Sequence, residues 1–313
     1  FFFPPPPATP DPLWSRGLGD VYKRQGLWLR KHKTSLTIAQ SLNKLLYTTT
    51  GSAHVLPDFL IIGAARSGTT SLYEYLTQHP SVIPGVGKEI YFFDKKFAKG
   101  INWYKSFFPT KITKSRLENQ QKRKCLTGEA TPRYLHYYHS PKRVFDLIPN
   151  IKLIVLLRNP INRAYSHYQM EVGSGNEKSS FEDAIEQEED RIRDDMRKME
   201  KDENFYSVYF YRKAYLNRGI YADQLERWFK YFPREQFLIL KSEDLYSDPA
   251  KTYEQVLDFL GLTKFELNLF KAHRKGNYSS ISVETRKKLI DYFRPHNERL
   301  HKLLGRDFGW NDE

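Results

Sequence analysis

Four short apolar runs punctuate the chain: Phe59–Gly63, Cys125–Gly128, Lys152–Leu157 and Gln236–Leu240. Each has the length of a buried strand, and helix-like stretches separate them, so parallel pairing through crossovers is expected. The polar and apolar spacing predicts helices over Thr69–Gln78, stopped by Pro80, and over Pro141–Ile148 and Ile161–Val172. Phe181–Lys201 reads as one long charged helix with a solvated face. Gly219–Phe232 sets Tyr221, Leu225 and Trp228 on one side, and Pro249–Leu260 ends at Gly261. Ser282–Leu304 is helical with an interruption at Pro295. The expected fold class is α/β, a central parallel sheet flanked by helices on both faces.

The first 25 residues carry neither period and open on a proline run, so residues 1–25 read as a non-native or disordered leader. They lack the basic-then-apolar order of a signal peptide. Residues 26–56 form an N-terminal extension, and 57–313 a single folded domain. The length of 313 residues allows a sizeable core, and 40% apolar with 15% aromatic residues excludes wholesale disorder. Cys125 stands alone, which excludes an internal disulfide framework and a cysteine-cluster metal site. No run approaches 18 uncharged apolar residues, so no membrane-spanning helix is visible.

The formal charge of +13 asks for an anionic partner without choosing among nucleic acid, membrane, acidic polysaccharide and phosphorylated ligand. Residues 1–56 hold a net +5 and residues 182–203 a net −6, so the rest of the chain carries +14. The excess therefore sits on the folded body, which weakens a disordered nucleic-acid-binding arm.

The segment PDFLIIGAARSGTTSLYEYL, residues 57–76, runs from a strand through Gly63–Thr70 into a helix. Glycines let backbone amides approach a ligand, and the helix N-terminus offers unsatisfied donors and partial positive charge. Thr69, Thr70 and Ser71 add hydroxyls, making a P-loop-like phosphate cradle. In the NTPase pattern GxxxxGK[ST] the lysine position is Thr69 here, and the cation sits earlier, at Arg66. The strand Leu153–Leu157 ends in Arg158, where a magnesium-holding aspartate would be expected. A nucleotide hydrolase is disfavoured, and metal-free transfer from a nucleotide donor is favoured.

In KLIVLLRNPINRAYSHY, residues 152–168, Arg158 follows a strand's C-terminal end, where α/β sheets bind ligands. Ser166 lies about two helical turns on, and an arginine with a helix-borne serine grips a phosphate by fork and hydroxyl. Arg158 read alone is as open to a structural ion pair, and Arg163 to a surface cation.

The GxxRSGTTSL loop followed by RNPxxRAYSHY resembles the PAPS-dependent sulfotransferases, in the carbohydrate branch related to heparan sulfate sulfotransferases. The resemblance extends through HPSVIPGVGKEIYFFD (79–94), INWYKSFFP (101–109), TGEATPRYL (127–135), FPREQFLILKSEDLYSDP (232–249), VLDFLGL (256–262), RKGNY (274–278) and LLGRDFGW (303–310). It implies that Arg66, Ser67, Gly68, Thr69 and Thr70 bind the 5′-phosphosulfate of PAPS, with PAP as product and no metal. Arg158 and Ser166 would bind the 3′-phosphate. Lys275, Gly276 and Asn277 would close over the cofactor, Asn277 replacing the family's arginine. Tyr221 or Trp228 would lie near the adenine, packing being the better reading of Trp228.

Glu89 would be the catalytic base that deprotonates the acceptor hydroxyl, and Arg66 would stabilise charge on the transferring group. Without the flanking motif, Glu89 reads as a Lys88 ion pair or a surface carboxylate. Lys88, Tyr91 and Asp94 are implied on the acceptor side. Tyr91 stands where the branch often has histidine, and Ala130 where it often has lysine. The implied function is sulfuryl transfer from PAPS to a hydroxyl of a carbohydrate or similar acceptor, with no nucleic-acid partner. A P-loop kinase or NTPase, and a non-catalytic binder of acidic polysaccharide, are the competing readings. The lone Cys125 cannot make the pairing of lumenal relatives, which points to a cytoplasmic enzyme. A Golgi lumenal one is the alternative if an anchor is missing from the N-terminus.

Overall fold

A computed structural model describes residues 50–267, 270 and 280–311. Its sheet contains β1 (Phe59–Gly63), β2 (Val82–Pro84), β3 (Leu126–Ala130), β4 (Lys152–Leu157) and β5 (Phe237–Lys241). All neighbouring pairs are parallel, in the order β2-β3-β1-β4-β5. The four predicted strands are present within one or two residues of their expected bounds. β2 was not predicted, since Val-Ile-Pro offers too short an apolar run. Its place at the sheet edge tolerates Pro84, whose missing amide costs no ladder bond on the open side.

Alternate strand residues feed two cores on opposite faces. Leu60, Ile62, Leu153, Val155 and Leu157 pack into one cluster with Tyr221, Leu225, Trp228 and Leu300. Phe59, Ile61, Ile154 and Leu156 pack into the other with Leu72, Leu76, Tyr253, Val256 and Leu257. The sheet is therefore buried on both sides, as parallel sheets require.

The helices, in chain order, are α1 (Thr69–Leu76), α2 (Ile101–Lys105), α3 (Lys111–Gln121), α4 (Ser140–Leu147), α5 (Pro160–Gly173), α6 (Phe181–Glu186) and α7 (Glu188–Lys201). They continue with α8 (Val208–Lys213), α9 (Tyr221–Phe229), α10 (Ser242–Ser247), α11 (Pro249–Leu260) and α12 (Val283–Leu304). Two differ from the pattern. The long charged helix is broken at Gln187, because Glu188 turns inward and accepts from the amides of Leu216 (2.6 Å) and Asn217 (2.8 Å). α12 runs unbroken through Pro295. Pro295 and Asp291, the residue whose carbonyl loses its partner, both lie on the exposed side, where water can take the bond. No described helix is long and apolar enough to cross a membrane.

Because β1 is central, the loop after it opens between the chain segments leaving β3 and β4. Arg66, Arg133, Arg158 and Ser242 all follow C-terminal strand ends, and that edge of the sheet is where a ligand meets all four loops.

Candidate functional site

β1 delivers the chain into the Gly63–Thr70 loop, and α1 starts at Thr69. Gly68, the residue before α1, has φ 88° and supplies no side-chain cap. The N-terminus of α1 therefore carries no side-chain cap, which suits an anion. A Cβ on Gly68 would sit 3.0 Å from Leu245 Cδ2 in a left-handed backbone, so the turn needs glycine. Arg66 is also left-handed, with φ 72°. The Ser67 hydroxyl is buried without a hydrogen-bond partner and does not line the cavity; the Ser67 carbonyl accepts from Ser242 Oγ at 2.8 Å. From this loop and the first turn of α1 the cavity is lined by Ala65, Arg66, Gly68, Thr69, Thr70 and Ser71.

The two expected anion sites meet. Arg66 Nε donates to Ser166 Oγ at 3.1 Å, and Arg158 Nη1 donates to the Arg66 carbonyl at 3.0 Å. Asn159 caps α5 by accepting from the amides of Ile161 and Asn162, which orients the helix that carries Ser166. The Arg158 carbonyl accepts from Tyr221 Oη at 2.8 Å. Arg163 is no surface cation: it is buried and donates to the Tyr215 carbonyl.

The 88–94 loop crosses the cavity mouth with Glu89 at φ 61° and Tyr91 at φ 59°. Three consecutive amides hold it. Ile90 N donates to Glu129 Oε2 (3.4 Å), Tyr91 N to Thr131 Oγ1 (3.5 Å) and Phe92 N to Tyr134 Oη (2.9 Å). Glu129 also accepts from Tyr104 Oη, Thr131 Oγ1 and Tyr134 Oη. Burial pushes its carboxyl up to about 6 against these hydrogen bonds. Lys88 Nζ donates to Thr70 Oγ1 and lies 3.6 Å from Glu89 Oε1, tying the phosphate loop to the expected base. Tyr91 Oη donates to Glu89 Oε2. Asp94 is buried, its carboxyl raised by burial; it faces Arg133 and does not line the cavity.

The cavity measures about 750 Å³ and contains residues that sequence reasoning passed over. Arg133, inside the quoted TPRYL run, and Arg218 face it, as do His167 and Glu171 of α5. Burial, then Arg163 and Arg133, bring the Arg218 guanidinium down to about 9. Burial, then Arg218 and Arg163, push the His167 imidazole well below its ordinary value, with Glu171 Oε1 3.6 Å from its Nε2. The signal for His167 and Glu171 was helical spacing, since residues 163, 166, 167, 170 and 171 share one face of α5. Arg218, in a loop without a motif, left none. Tyr75, Leu245, Tyr246 and Phe270 make an apolar part of the wall, Leu245 and Tyr246 lying next to Gly68. Neither Tyr221 nor Trp228 reaches the cavity; Trp228 is buried, and its Nε1 donates to the Leu135 carbonyl. Lys275, Gly276 and Asn277 lie outside the described residues.

The family model of the sulfotransferase domain matches residues 56–304. The chain belongs to the sulfotransferase family. The sulfotransferase is 30% identical over 327 aligned residues to the membrane-associated sulfotransferase kil1 of Dictyostelium discoideum, covering 84% of this chain and 68% of that protein. It is 32% identical to heparan sulfate glucosamine 3-O-sulfotransferase 3A1 of Mus musculus, over 82% of this chain and 65% of that one. To the mouse bifunctional heparan sulfate N-deacetylase/N-sulfotransferase 4 it is 31% identical, over 96% of this chain but 33% of the relative. The chain thus spans about two thirds of the first two relatives and one third of the other. A solved sulfotransferase from Alicyclobacillus acidocaldarius superposes with a TM-score of 0.61 at 29% identity, over 83% of this chain and all of that one. Membership in this family displaces the kinase and non-catalytic readings.

The expected cytoplasmic location is corrected by the same relatives, one of them named membrane-associated and two named for heparan sulfate. Cysteine count was a poor guide to compartment. Cys125 is a buried thiol just before β3, and a chain needs no disulfide to fold in an oxidising space.

Proposed function

We propose that this sulfotransferase moves a sulfuryl group from PAPS to a carbohydrate hydroxyl, with Glu89 as general base and Arg66 stabilising the transferring group. The observation that carries this reading is the Lys88 bridge, which keeps the Glu89 carboxylate beside Thr70 of the phosphate loop on the same cavity. The residues present suit a donor anionic at both ends. Uncapped amides of α1 with Arg66, Thr69 and Thr70 suit the phosphosulfate, and Arg158 and Ser166 the 3′-phosphate. The wall of Tyr75, Tyr246 and Phe270 suits a purine. Lys275, Gly276 and Asn277 are proposed as further donor contacts, and 57–313 as the catalytic domain.

PAPS supplies the sulfuryl group and departs as PAP. Glu89 accepts the proton of the acceptor hydroxyl as its oxygen attacks, a contribution of about 10²- to 10⁴-fold. Arg66 aims a charged donor at the oxygens where charge develops. Lys88, Tyr91 and Asp94 are assigned to the acceptor side. The kinship with enzymes named for heparan sulfate supports a carbohydrate acceptor and a Golgi or secretory location.

The test is PAP release from PAPS with heparan sulfate, its desulfated form and small alcohols as acceptors. Release with a glycan, lost in Glu89→Gln, is the expected result. Full turnover by Glu89→Gln sinks the base. Equal thermal stabilisation by PAP and ATP would count against a dedicated 3′-phosphate grip.

A further inference from the structure

Arg133 is wedged between two tyrosine rings. Its guanidinium carbon lies 5.1 Å from the centroid of Tyr91 and 4.9 Å from that of Tyr211, and Nη1 donates to Tyr206 Oη. Tyr206 and Tyr211 themselves stack at 5.1 Å, so the far side of the wedge is a rigid aromatic pair at the start of α8. The near side is Tyr91, whose hydroxyl donates to Glu89 Oε2. The Tyr91 amide is spent on Thr131 Oγ1, which leaves the ring's tilt to its stacking partners.

We infer that Arg133 is a positioning residue for the transfer reaction: it clamps the Tyr91 ring against the Tyr206–Tyr211 pair, so that the Tyr91 hydroxyl orients the Glu89 carboxylate. The inference rests on Glu89 being the base. Arginine suits this post because its planar cation stacks on both rings at once, which a lysine cannot do. Besides Tyr206 and Tyr211, Arg218 acts on Arg133 electrostatically and lines the same cavity. Lys88 sits beside Glu89 Oε1, Lys96 lies 5.5 Å from the Tyr91 ring centroid, the buried Asp94 acts on Arg133 electrostatically, and Glu129 holds the neighbouring Ile90 amide. Burial and the hydrogen bond to Glu89 raise the Tyr91 phenol further above its ordinary value, so it remains a donor at any working pH.

The experiment is a double-mutant cycle on kcat for PAP release, run with whichever acceptor of the panel above turns over fastest. Arg133→Ala and Tyr91→Phe are each expected to lower kcat about tenfold. In the Tyr91→Phe background Arg133→Ala should cost less than about twofold more, because the hydroxyl it orients is gone. The KM for PAPS and the stabilisation by PAP should stay as in the parent. Arg133→Lys, which keeps the charge and loses the plane, should give the same pattern and serves where the alanine variant folds poorly. Equal losses in both backgrounds, or a loss confined to the acceptor KM, would mean that Arg133 contacts the acceptor and would overturn the inference. Glu89→Gln, measured alongside, separates the two levels: its full turnover removes the base, whereas an inactive Glu89→Gln with an additive cycle removes only the clamp.

Discussion

Arg66 Nε and Ser166 Oγ stand 3.1 Å apart although 100 residues separate them. One belongs to the loop after β1, the other to the helix after β4, and neighbouring parallel strands bring the two together. The contact aims the Arg66 guanidinium along α5, and Arg158 braces the same loop through the Arg66 carbonyl.

This geometry makes Ser166 a support for Arg66 as well as a donor contact. Ser166→Ala is expected to lower kcat/KM for PAPS about tenfold, the loss of a hydrogen bond to a charged group. Arg66→Ala should cost about 10²- to 10³-fold in kcat. Steady-state PAP release measures both, and Ser166→Ala should cost little once Arg66 is gone.

Glu129 carries the 88–94 loop. Glu129→Ala leaves buried hydroxyls of Tyr104 and Tyr134 and the Ile90 amide without an acceptor, each at about 1–3 kcal/mol. Urea unfolding should show a loss of at least about 3 kcal/mol. Glu129→Gln keeps the volume and one acceptor oxygen, so its loss should be smaller. An alanine variant as stable as the parent would show that the network does not hold the loop.

Glu188 gives the folded state a signed pH dependence. Burial, against hydrogen bonds from Asn217 and Leu216, raises its carboxyl from the ordinary 4.5 to about 7. A raised acid binds its proton more tightly when folded, so its stabilising share is full below 4.5 and is lost as pH rises through about 7. Glu188→Gln mimics the protonated form, so the variant's Tm relative to the parent should climb from pH 5 to pH 8. Thermal melts across that range measure it, and a flat difference would contradict the assignment.

Tyr246 is exposed and lines the cavity beside Tyr75 and Phe270. Tyr246→Ala should leave stability within about 0.5 kcal/mol of the parent. It should weaken PAP binding by tenfold or more, since stacking on a base is worth about 1–3 kcal/mol. Calorimetric titration with PAP, with inorganic phosphate as the control, reads the effect.

The strands and most helices were legible because a run of buried apolar residues or a 3.6-residue period is a local property. β2 escaped because three residues carry no period, and the break at Gln187 because its cause is a tertiary bond from Glu188 to the 216–217 amides. The site divides in the same way. Arg66, Thr69, Thr70, Glu89, Arg158 and Ser166 sit in segments whose order and spacing single them out, and all of them line the cavity. Arg218 sits in no motif, and the burial of Asp94 is invisible in a string of letters.

The chain by itself determined the class of fold, the uncapped phosphate loop and the choice of arginine where a metal-holding aspartate would stand. Each depends on residues within a few positions of one another. Only the tertiary structure decided that the two anion sites adjoin through Arg66 and Ser166, that Arg133 is held between Tyr91 and Tyr211, and that His167 is buried between Glu171 and the arginines. Those facts are distances and dielectric surroundings between segments far apart in sequence, set by the parallel strand order and by what the closed core excludes from water.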